Sequence, residues 1–255
     1  MKFKLTLELT GKNRQIPINY QYEQSAWIYK TIHNGNPEFS AWLHNLGYLD
    51  GKKQFKLFTF SPIIPEKYAI NRDRLEIQSN HAITYVSFYT PEAAEPFILG
   101  LFSNQHFALG DHISQTQFKI SSVEKLPEPR WKDTMVFKTL SPIVLSKKQD
   151  ESRNARYLSP SDEEFEDLFL KNLESKFKVI NNNPGRIETP TRVSVLPHST
   201  PRSKLIKIKA GTPQETSIRG YLFDFEITAP QELIKLGYYA GFGEKNSLGF
   251  GSVEV

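Results

Sequence analysis

Cysteine is absent from the 255 residues, and so is any long apolar run. Without cysteine the chain can form no disulfide framework, no thiol nucleophile and no zinc site with thiolate ligands. The longest nearly uninterrupted apolar segment, residues 96–102, is far too short to cross a bilayer, and the polar start MKFKLTLELT lacks the apolar core of a signal peptide. These absences predict a cytoplasmic protein that acts away from membranes.

The common nucleotide-binding motifs are missing as well. A dinucleotide fingerprint needs a glycine three residues after Gly243, where the chain has Asn246. A P-loop needs serine or threonine after Gly-Lys, and the Gly-Lys pairs of this chain are followed by Asn13 and Lys53. No two histidines have metal-site spacing with carboxylates. We therefore expect neither a cofactor nor a metal site.

The composition favours a folded chain. Apolar residues make up 38%, aromatic residues 13% and charged residues 24%, which is typical of a globular protein rather than a disordered tail. The formal net charge of +4 permits an anionic partner without requiring one. The length suits one large or two small domains, and the order of predicted elements favours two.

Both halves of the chain predict the same order of elements. In the first half, strands are predicted at 2–9, 54–61, 74–78, 83–89 and 118–123, and helices at 22–33, 37–46 and 91–103. In the second half, strands are predicted at 134–145, 191–196, 203–209 and 217–228, with helices that begin at a Ser161 capping box and near residue 230. The repeated βαββαβ order predicts an α+β protein of two tandem ferredoxin-like (RRM-like) domains. The segment LPEPR at 126–130 separates them, which gives domains at 1–126 and 127–255.

The strongest local signal is the segment GFGEKNSLGFG at 241–251. It places Gly241, Gly243, Gly249 and Gly251 on the two sides of Lys245. Glycine lets backbone amides approach an anion closely, so this loop and its lysine are a candidate site for RNA phosphates. The alternative is a tight connection from a helix to the final strand.

This glycine-rich pattern resembles the C-terminal signature of the RAMP superfamily and, within it, the CRISPR pre-crRNA processing endoribonucleases, the sixth Cas protein. Other segments agree with that family: YQY at 20–22, WIYK at 27–30, WLH at 42–44, KLFTFS at 56–61 and TLSPI at 139–143. The resemblance spans nearly the whole chain. It implies two tandem ferredoxin-like domains, as the order of elements predicts independently, and a metal-independent endoribonuclease that acts on CRISPR repeat RNA.

The resemblance also implies a catalytic tyrosine, histidine and lysine, which correspond to Tyr29, His44 and Lys56. Attack by an RNA 2′-hydroxyl needs a base for its proton, an acid for the departing 5′-oxygen and a cation beside the phosphate. Histidine suits proton transfer because its ordinary pKa lies near neutrality. Lys56 would stabilise charge on the phosphorane, and Tyr29 would orient the hydroxyl or share the proton transfer. We expect products with 2′,3′-cyclic phosphate and 5′-hydroxyl ends.

Other residues compete for these roles. His33, one helical turn from Tyr29, is the rival base. Lys52 and Lys53 lie close enough in sequence to replace Lys56 at the phosphate. Tyr29 is equally suited to a buried helix face, and Lys56 to a solvated strand.

The second half carries further cations that form a candidate phosphate track. They are Arg192, Arg202, Lys204, Lys207 and Lys209. Lys207 and Lys209 fall on one side of an alternating strand, although an ordinary solvated strand face explains these residues equally well. Phosphate contacts give no choice of sequence, so recognition of the repeat must come from contacts with bases or with a hairpin shape.

Two other functions compete with the nuclease. A non-catalytic subunit that binds repeat RNA within a CRISPR effector complex would have the same fold and the same glycine-rich loop. A small-molecule enzyme on this scaffold has less support, because fold does not fix function and no cofactor motif is present. The sequence leaves open whether the chain associates with other CRISPR-associated effector subunits or forms a homodimer.

Overall fold

The computed structural model describes residues 1–148, 155–181 and 190–255, which form two α+β units. The elements of the first unit are β1 (Lys2–Leu9), β2 (Gln15–Pro17), α1 (Gln21–Gly35), α2 (Pro37–Asn45), β3 (Tyr48–Asp50), β4 (Lys53–Phe55), β5 (Phe58–Phe60), β6 (Ile64–Pro65), β7 (Tyr68–Asn71), β8 (Arg74–Ile77), β9 (His81–Phe88), α3 (Pro91–Ser103), β10 (His106–Gly110) and β11 (Gln115–Lys125). The elements of the second unit are β12 (Thr134–Thr139), β13 (Ser146–Lys147), β14 (Arg156–Tyr157), α4 (Phe165–Lys178), β15 (Arg192–Val195), β16 (Arg202–Ile208), β17 (Thr216–Leu222), β18 (Asp224–Thr228), α5 (Gln231–Ala240), a short 3₁₀ helix (Asn246–Leu248) and β19 (Val253–Glu254). No helix in these ranges is long and apolar enough to span a membrane.

Both units have the strand order of the ferredoxin-like fold. The first sheet runs β10-β11-β1-β9-β5, and each neighbouring pair is antiparallel. The second sheet runs β15-β18-β12-β19, again antiparallel throughout. Helices α1 and α3 contribute apolar side chains to the first core, and α4 and α5 contribute to the second. The predicted fold class, two tandem ferredoxin-like domains, is confirmed.

Residues 126–133 connect the two units and contain no helix or strand. The predicted boundary falls in this segment, and we propose that domains 1–126 and 127–255 meet there. The two units pack directly against each other. The buried Lys2 ammonium donates a hydrogen bond to the Val253 carbonyl oxygen and lies 4.5 Å from the centroid of the Tyr238 ring. Burial lowers the pKa of Lys2 to about 8.

Each unit carries an insertion in its βαββαβ core. In the first unit, α2 and the β3–β4 hairpin stand between α1 and the second core strand, β5. In the second unit, the β16–β17 hairpin stands between β15 and β18. The candidate residues His44 and Lys56 therefore belong to an insertion rather than to the shared core.

The prediction of one strand over 54–61 is wrong, because Lys56 and Leu57 divide it into β4 and β5. Leu57 has a φ of +54°, a conformation that is uncommon for a residue with a side chain. The strand breaks because its side chains serve two cores: Phe55 and Leu57 are buried in the second core, and Phe58 and Phe60 in the first. The break turns the chain from its pairing with β3 to its pairing with β9.

Two further predictions in the second half are corrected. Helix α4 begins at Phe165, and the predicted capping box at Ser161 does not form. The Asp162 carboxylate instead accepts hydrogen bonds from the Ser159 amide at 2.7 Å and from Arg156 Nη2 at 3.0 Å, which holds a turn before the helix. The predicted strand over 217–228 is two strands, β17 and β18, which belong to different sheets.

A pair of glycines tests whether packing fixes the glycine-rich C-terminus. Gly251 has a φ of +74°, and a Cβ there would lie 1.9 Å from the Phe242 carbonyl oxygen. Gly211 has the same φ of +74° but open space around it. We expect Gly211→Ala to lower the free energy of unfolding by about 1 kcal/mol, the cost of a left-handed alanine. Gly251→Ala should lower it by about 3 kcal/mol because the backbone must also shift. Denaturant unfolding measures both values, and equal losses would contradict the packing argument.

Candidate active site

His44 lies in the last turn of α2. Two side chains that follow β3 in the chain donate hydrogen bonds to the last carbonyl groups of this helix. Lys56 Nζ donates to the His44 carbonyl oxygen at 2.9 Å, and Gln54 Nε2 donates to the Asn45 carbonyl oxygen at 3.3 Å. Such terminal carbonyls have no partner within their own helix, so these bonds fix the end of α2. The His44 side chain is exposed, and its Nδ1 lies 3.2 Å from Asn45 Oδ1. When Nδ1–H donates to that oxygen, Nε2 keeps its lone pair for a proton.

Tyr29 projects from α1 toward the same place. Its ring meets the His44 ring edge-on with the centroids 5.3 Å apart, and it lies 5.5 Å from the Phe58 ring. Burial raises the pKa of Tyr29 to about 12, although the polar Ser247 side chain nearby opposes the shift. The phenol is therefore protonated near neutral pH and is suited to donating a hydrogen bond.

The structure thus brings the Tyr29 and His44 rings together and places the Lys56 ammonium group on the His44 backbone carbonyl. Lys56 is half-buried at the break between β4 and β5, and burial lowers the pKa of its ammonium group. One of its N–H groups is used by the His44 carbonyl, which leaves others for an anion. Their catalytic roles remain predictions.

The rival residues are placed differently. Lys53 Nζ donates to Ser175 Oγ of α4 at 3.4 Å, and Lys52 is exposed in the turn of the β3–β4 hairpin. His33 is exposed near the end of α1. Of the lysines in this region, Lys56 is the one bonded to the histidine backbone, which favours it over its neighbours. Within the described ranges, no three histidine, aspartate or glutamate side chains form a group that could hold a metal ion.

The glycine-rich loop, residues 241–251, is seated on the first unit. Ser25 Oγ of α1 donates to the Ser247 carbonyl oxygen at 2.6 Å, and Thr59 Oγ1 of β5 donates to the Phe250 carbonyl oxygen at 2.8 Å. Tyr29 lies about one turn beyond Ser25 on the same helix. These two hydrogen bonds therefore place the Ser247 side chain near the Tyr29 hydroxyl.

Two polar side chains, Asn246 and Lys176, stabilise the glycine-rich loop through hydrogen bonds to its backbone. Asn246 Nδ2 donates to the carbonyl oxygens of Phe242 and Phe250, each at 3.0 Å. Lys176 of α4, 1% exposed, donates to the Gly241 and Gly243 carbonyl oxygens at 2.6 Å each and to Asn246 Oδ1 at 2.7 Å. Burial lowers the pKa of Lys176 to about 7, opposed by the nearby Glu244 carboxylate. The three N–H groups of the ammonium match three acceptors.

The structure shows a packing reason for the glycines of this loop. Gly241, Gly243, Gly249 and Gly251 are all buried. Lys245 is exposed and has a φ of +60°. The accessible cation of the loop is therefore Lys245, and contact between the glycines and RNA remains a prediction.

A cleft between the two units joins Lys56 to this loop. Lysines from separate segments line it: Lys53, Lys56, Lys148, Lys171 and Lys245. The acidic lining residue Glu244 is engaged, because its carboxylate accepts hydrogen bonds from the Ser146 amide at 3.2 Å and the Ser146 hydroxyl at 2.7 Å. A cleft in which cations outnumber acidic side chains attracts a polyanion. Sequence analysis missed Lys148 and Lys171 because nothing in the sequence places them beside the loop.

The predicted phosphate track is divided in the structure. Arg202, Lys204 and Lys207 are exposed on the β16–β17 hairpin, with Lys207 Nζ 2.8 Å from a Glu215 carboxylate oxygen. Arg192 is exposed on β15, which belongs to the second central sheet instead. Arg192 thus lies in a different sheet from the other cations, and contact between any of these residues and RNA remains a prediction.

The hairpin also contacts α1. The Lys209 ammonium lies 5.6 Å from the centroid of the Tyr22 ring, and Ile206 and Ile208 form a small core with Phe250 of the glycine-rich loop. Tyr22 and Tyr29 lie about two turns apart on one face of α1. This face connects the hairpin to the candidate site.

Lys176 provides a test of the loop's bracing. Lys176→Met removes the donor for three buried oxygens, and we expect it to lower the free energy of unfolding by about 3 kcal/mol. Lys178→Met, an exposed site on the same helix, should change it by less than about 0.5 kcal/mol. Urea unfolding of the three proteins makes the comparison, and a loss at Lys176 no larger than at Lys178 would count against the bracing.

Both halves of the chain match models of one protein family. Residues 15–124 match the model of CRISPR-associated protein Cas6, N-terminal, and residues 124–255 match CRISPR associated protein Cas6, C-terminal. The chain is 31% identical to CRISPR-associated endoribonuclease Cas6 1 of Methanocaldococcus jannaschii over 98% of this chain and 91% of that protein. It is 29% identical to CRISPR-associated endoribonuclease Cas6 of Pyrococcus furiosus over 100% of this chain and 90% of that protein.

The fold agrees with a solved relative. A structure described as an RAMP protein binding different RNA substrates has a TM-score of 0.81 at 26% identity, covering 100% of this chain and 98% of that one. The sequence match, the two ferredoxin-like units and the glycine-rich C-terminus lead to one conclusion. The chain belongs to the Cas6 family of CRISPR pre-crRNA processing proteins.

Proposed function

We propose that this protein is an endoribonuclease that cleaves CRISPR repeat RNA, with Tyr29, His44 and Lys56 at the cut. The observation that carries the proposal is the meeting of an exposed imidazole, a protonated phenol and an ammonium group beside a lysine-lined cleft. The endoribonucleases that the chain resembles over almost its whole length support the activity.

In the proposed reaction, the 2′-hydroxyl of the nucleotide before the cut attacks the adjacent phosphorus. His44 Nε2 takes the 2′-hydroxyl proton as the O2′–P bond forms, in the tautomer whose Nδ1–H donates to Asn45 Oδ1. The P–O5′ bond breaks, and the 5′-oxygen takes a proton from the Tyr29 hydroxyl. Water then reprotonates Tyr29 and accepts the proton from His44. The products are a 2′,3′-cyclic phosphate and a 5′-hydroxyl.

Lys56 supplies the charge in this scheme. The phosphorane carries extra negative charge that a fixed ammonium group stabilises. Lys56 is held by the His44 carbonyl at 2.9 Å, which keeps its ammonium group beside the end of α2. A mobile surface lysine lacks such a fixed position.

The RNA backbone is proposed to follow the cations away from the cut. Lys245 and the other cleft lysines lie on one side of the site, and the β16–β17 hairpin adjoins the other end of the shared α1 face. Binding through these groups should weaken steeply with salt because each phosphate contact releases counterions. Association with effector subunits or with a second copy of the chain remains a prediction, as does a cytoplasmic location.

The imidazole assignment predicts a selective loss of cleavage. His44→Ala should lower the single-turnover rate on labelled cognate repeat RNA in EDTA by about 100-fold or more, because proton transfer is lost. RNA affinity should change little, since the side chain is exposed and the cleft lysines supply the phosphate contacts. His33→Ala is the matched control and should cut at the native rate.

Each departure from that result has a distinct meaning. If the His44 and His33 variants both cut at the native rate, neither imidazole is the base. A loss at His33 alone transfers the role to that residue. A 3′-hydroxyl product or a strict requirement for magnesium would overturn the proposed chemistry.

The lysine assignment predicts a change in pH dependence. Burial lowers the pKa of Lys56, so its charge is lost at a lower pH than that of an ordinary lysine, whereas arginine stays charged. We expect the ratio of the Lys56→Arg rate to the native rate to rise from about pH 7 to about pH 10. The control is Lys52→Arg, for which the ratio of the variant rate to the native rate should stay constant over the same pH range. A constant ratio at Lys56 with a rising one at Lys52 would give the role to Lys52.

A second candidate is a non-catalytic protein that binds repeat RNA. The similarity to a structure described as an RAMP protein binding different RNA substrates favours it, since that description names binding. The same EDTA assay decides between the two. Native protein that binds repeat RNA and leaves it intact would establish the binding protein.

A further inference from the structure

An apolar groove opens on the first unit, away from the lysine-lined cleft. Four large apolar side chains on its walls are well exposed: Ile18 at 43%, Ile64 at 39%, Tyr68 at 54% and Ile70 at 65%. The buried side chains of Tyr20 and Leu75 complete it. Exposed apolar residues that gather in one concave place mark a binding surface more often than residues scattered singly.

The groove results from how the β2-β8-β7 sheet lies on the first core. Register pairs Tyr68 with Ile77 and Ile70 with Leu75, so all four side chains lie on one face of the sheet. Ile77 and Leu75 are buried, whereas Tyr68 and Ile70 on the outer strand β7 are exposed. The core therefore covers only the inner part of an apolar sheet face.

The opposite wall is fixed by Tyr20. Its hydroxyl accepts a hydrogen bond from the Ile63 amide at 2.8 Å and donates to the Ile63 carbonyl at 3.3 Å. These bonds hold the segment that carries Ile64 at a set distance from Ile18. A groove with rigid walls is suited to a flat ligand that enters between them.

The groove is continuous with the basic hairpin of the proposed RNA path. Asn19 stands between two groove residues, Ile18 and Tyr20, and its side chain accepts a hydrogen bond from the Lys207 amide at 3.2 Å. The same short segment thus lines the apolar groove on one side and contacts β16 on the other.

Charged side chains of both signs border the groove, so the cations available to an anionic chain are those of the adjoining β16–β17 hairpin. Exposed Lys67 and Arg72 stand at the two ends of β7. Exposed Glu66 and Asp73 stand beside them. Arg74 is shared between Asp73 at 3.3 Å and Asp111 at 2.7 Å, so the charges at the groove itself balance. Single-stranded nucleic acid binds where cations follow the backbone and an aromatic side chain accepts a base.

We propose that this groove is a subsite for an unpaired nucleobase of the repeat RNA, which stacks on the Tyr68 ring while the neighbouring phosphates follow the β16–β17 hairpin. The proposal rests on the proposed function, since it concerns the same RNA. Stacking accepts any base, so the groove adds affinity for an unpaired flank of the repeat without choosing its sequence.

The experiment compares Tyr68→Ala with Tyr68→Phe, which keeps the ring, and with Phe102→Ala, which removes a 74% exposed aromatic side chain of α3 outside the groove. Binding is measured by fluorescence anisotropy with cognate repeat RNA that is 2′-O-methylated throughout and so lacks the attacking hydroxyl. We expect Tyr68→Ala to bind about tenfold more weakly. Tyr68→Phe and Phe102→Ala should bind as the native protein does.

The salt dependence of RNA binding distinguishes stacking on Tyr68 from contact between a lysine and a phosphate. The slope of log Kd against log salt should be unchanged in Tyr68→Ala and reduced by about one in Lys245→Ala, because only the lysine contacts a phosphate.

The contrary outcomes are distinct. If native protein binds and cuts the repeat while Tyr68→Ala binds equally well, the groove is not an RNA subsite and the proposed function stands. An equal loss in Phe102→Ala would also overturn the groove proposal. If native protein does not bind repeat RNA at all, the proposed function fails and the groove proposal fails with it.

Discussion

The buried ammonium group of Lys176 is the interaction on which the arrangement of the candidate site depends. A charge removed from water is stable only when its donors find acceptors, and here three oxygens of the glycine-rich loop accept. One of them belongs to Asn246, which also ties Phe242 to Phe250. A single side chain on α4 therefore binds one end of the loop directly and the other end through Asn246. The placement of Ser247 against Tyr29 follows from the loop being fixed.

Much of the fold could be predicted from the sequence because strand and helix periods survive in it. The apolar side chains that alternate along β1 pack into one core, and so do those at helical spacing in α1. The sequence pattern and the structure therefore agree. The segment 54–61 is different. Its residues favour a strand throughout, yet Phe55 and Leu57 are buried in one core and Phe58 and Phe60 in another. No local pattern records that a chain changes cores, and this change produced the break at Lys56.

For the candidate site, resemblance supplied Tyr29, His44 and Lys56. The structure places the Tyr29 and His44 rings 5.3 Å apart and the Lys56 ammonium group on the His44 backbone carbonyl. Sequence analysis missed Lys176, although a signal was present. Phe165, Phe169 and Leu173 mark the buried face of α4, and the next position on that face is Lys176. A lysine at an apolar position indicates a buried charge that needs acceptors. The acceptors themselves could not be predicted, since they are backbone carbonyls of a loop far along the chain.

The position of the site at the contact between two domains explains why a strained residue is kept beside Lys56. Leu57 at a φ of +54° costs about 1–3 kcal/mol. The same turn buries Phe55 and Leu57 in the second core, and each buried side chain of this size contributes about 1.5–3 kcal/mol. Burial therefore outweighs the strain. Because the apolar side chains on both sides of Lys56 are held by the second domain while its ammonium is held by His44, the cation is positioned by packing rather than by a free loop. Catalysis by orientation requires this kind of support, since a misplacement of about 1 Å can cost a 100-fold loss in rate.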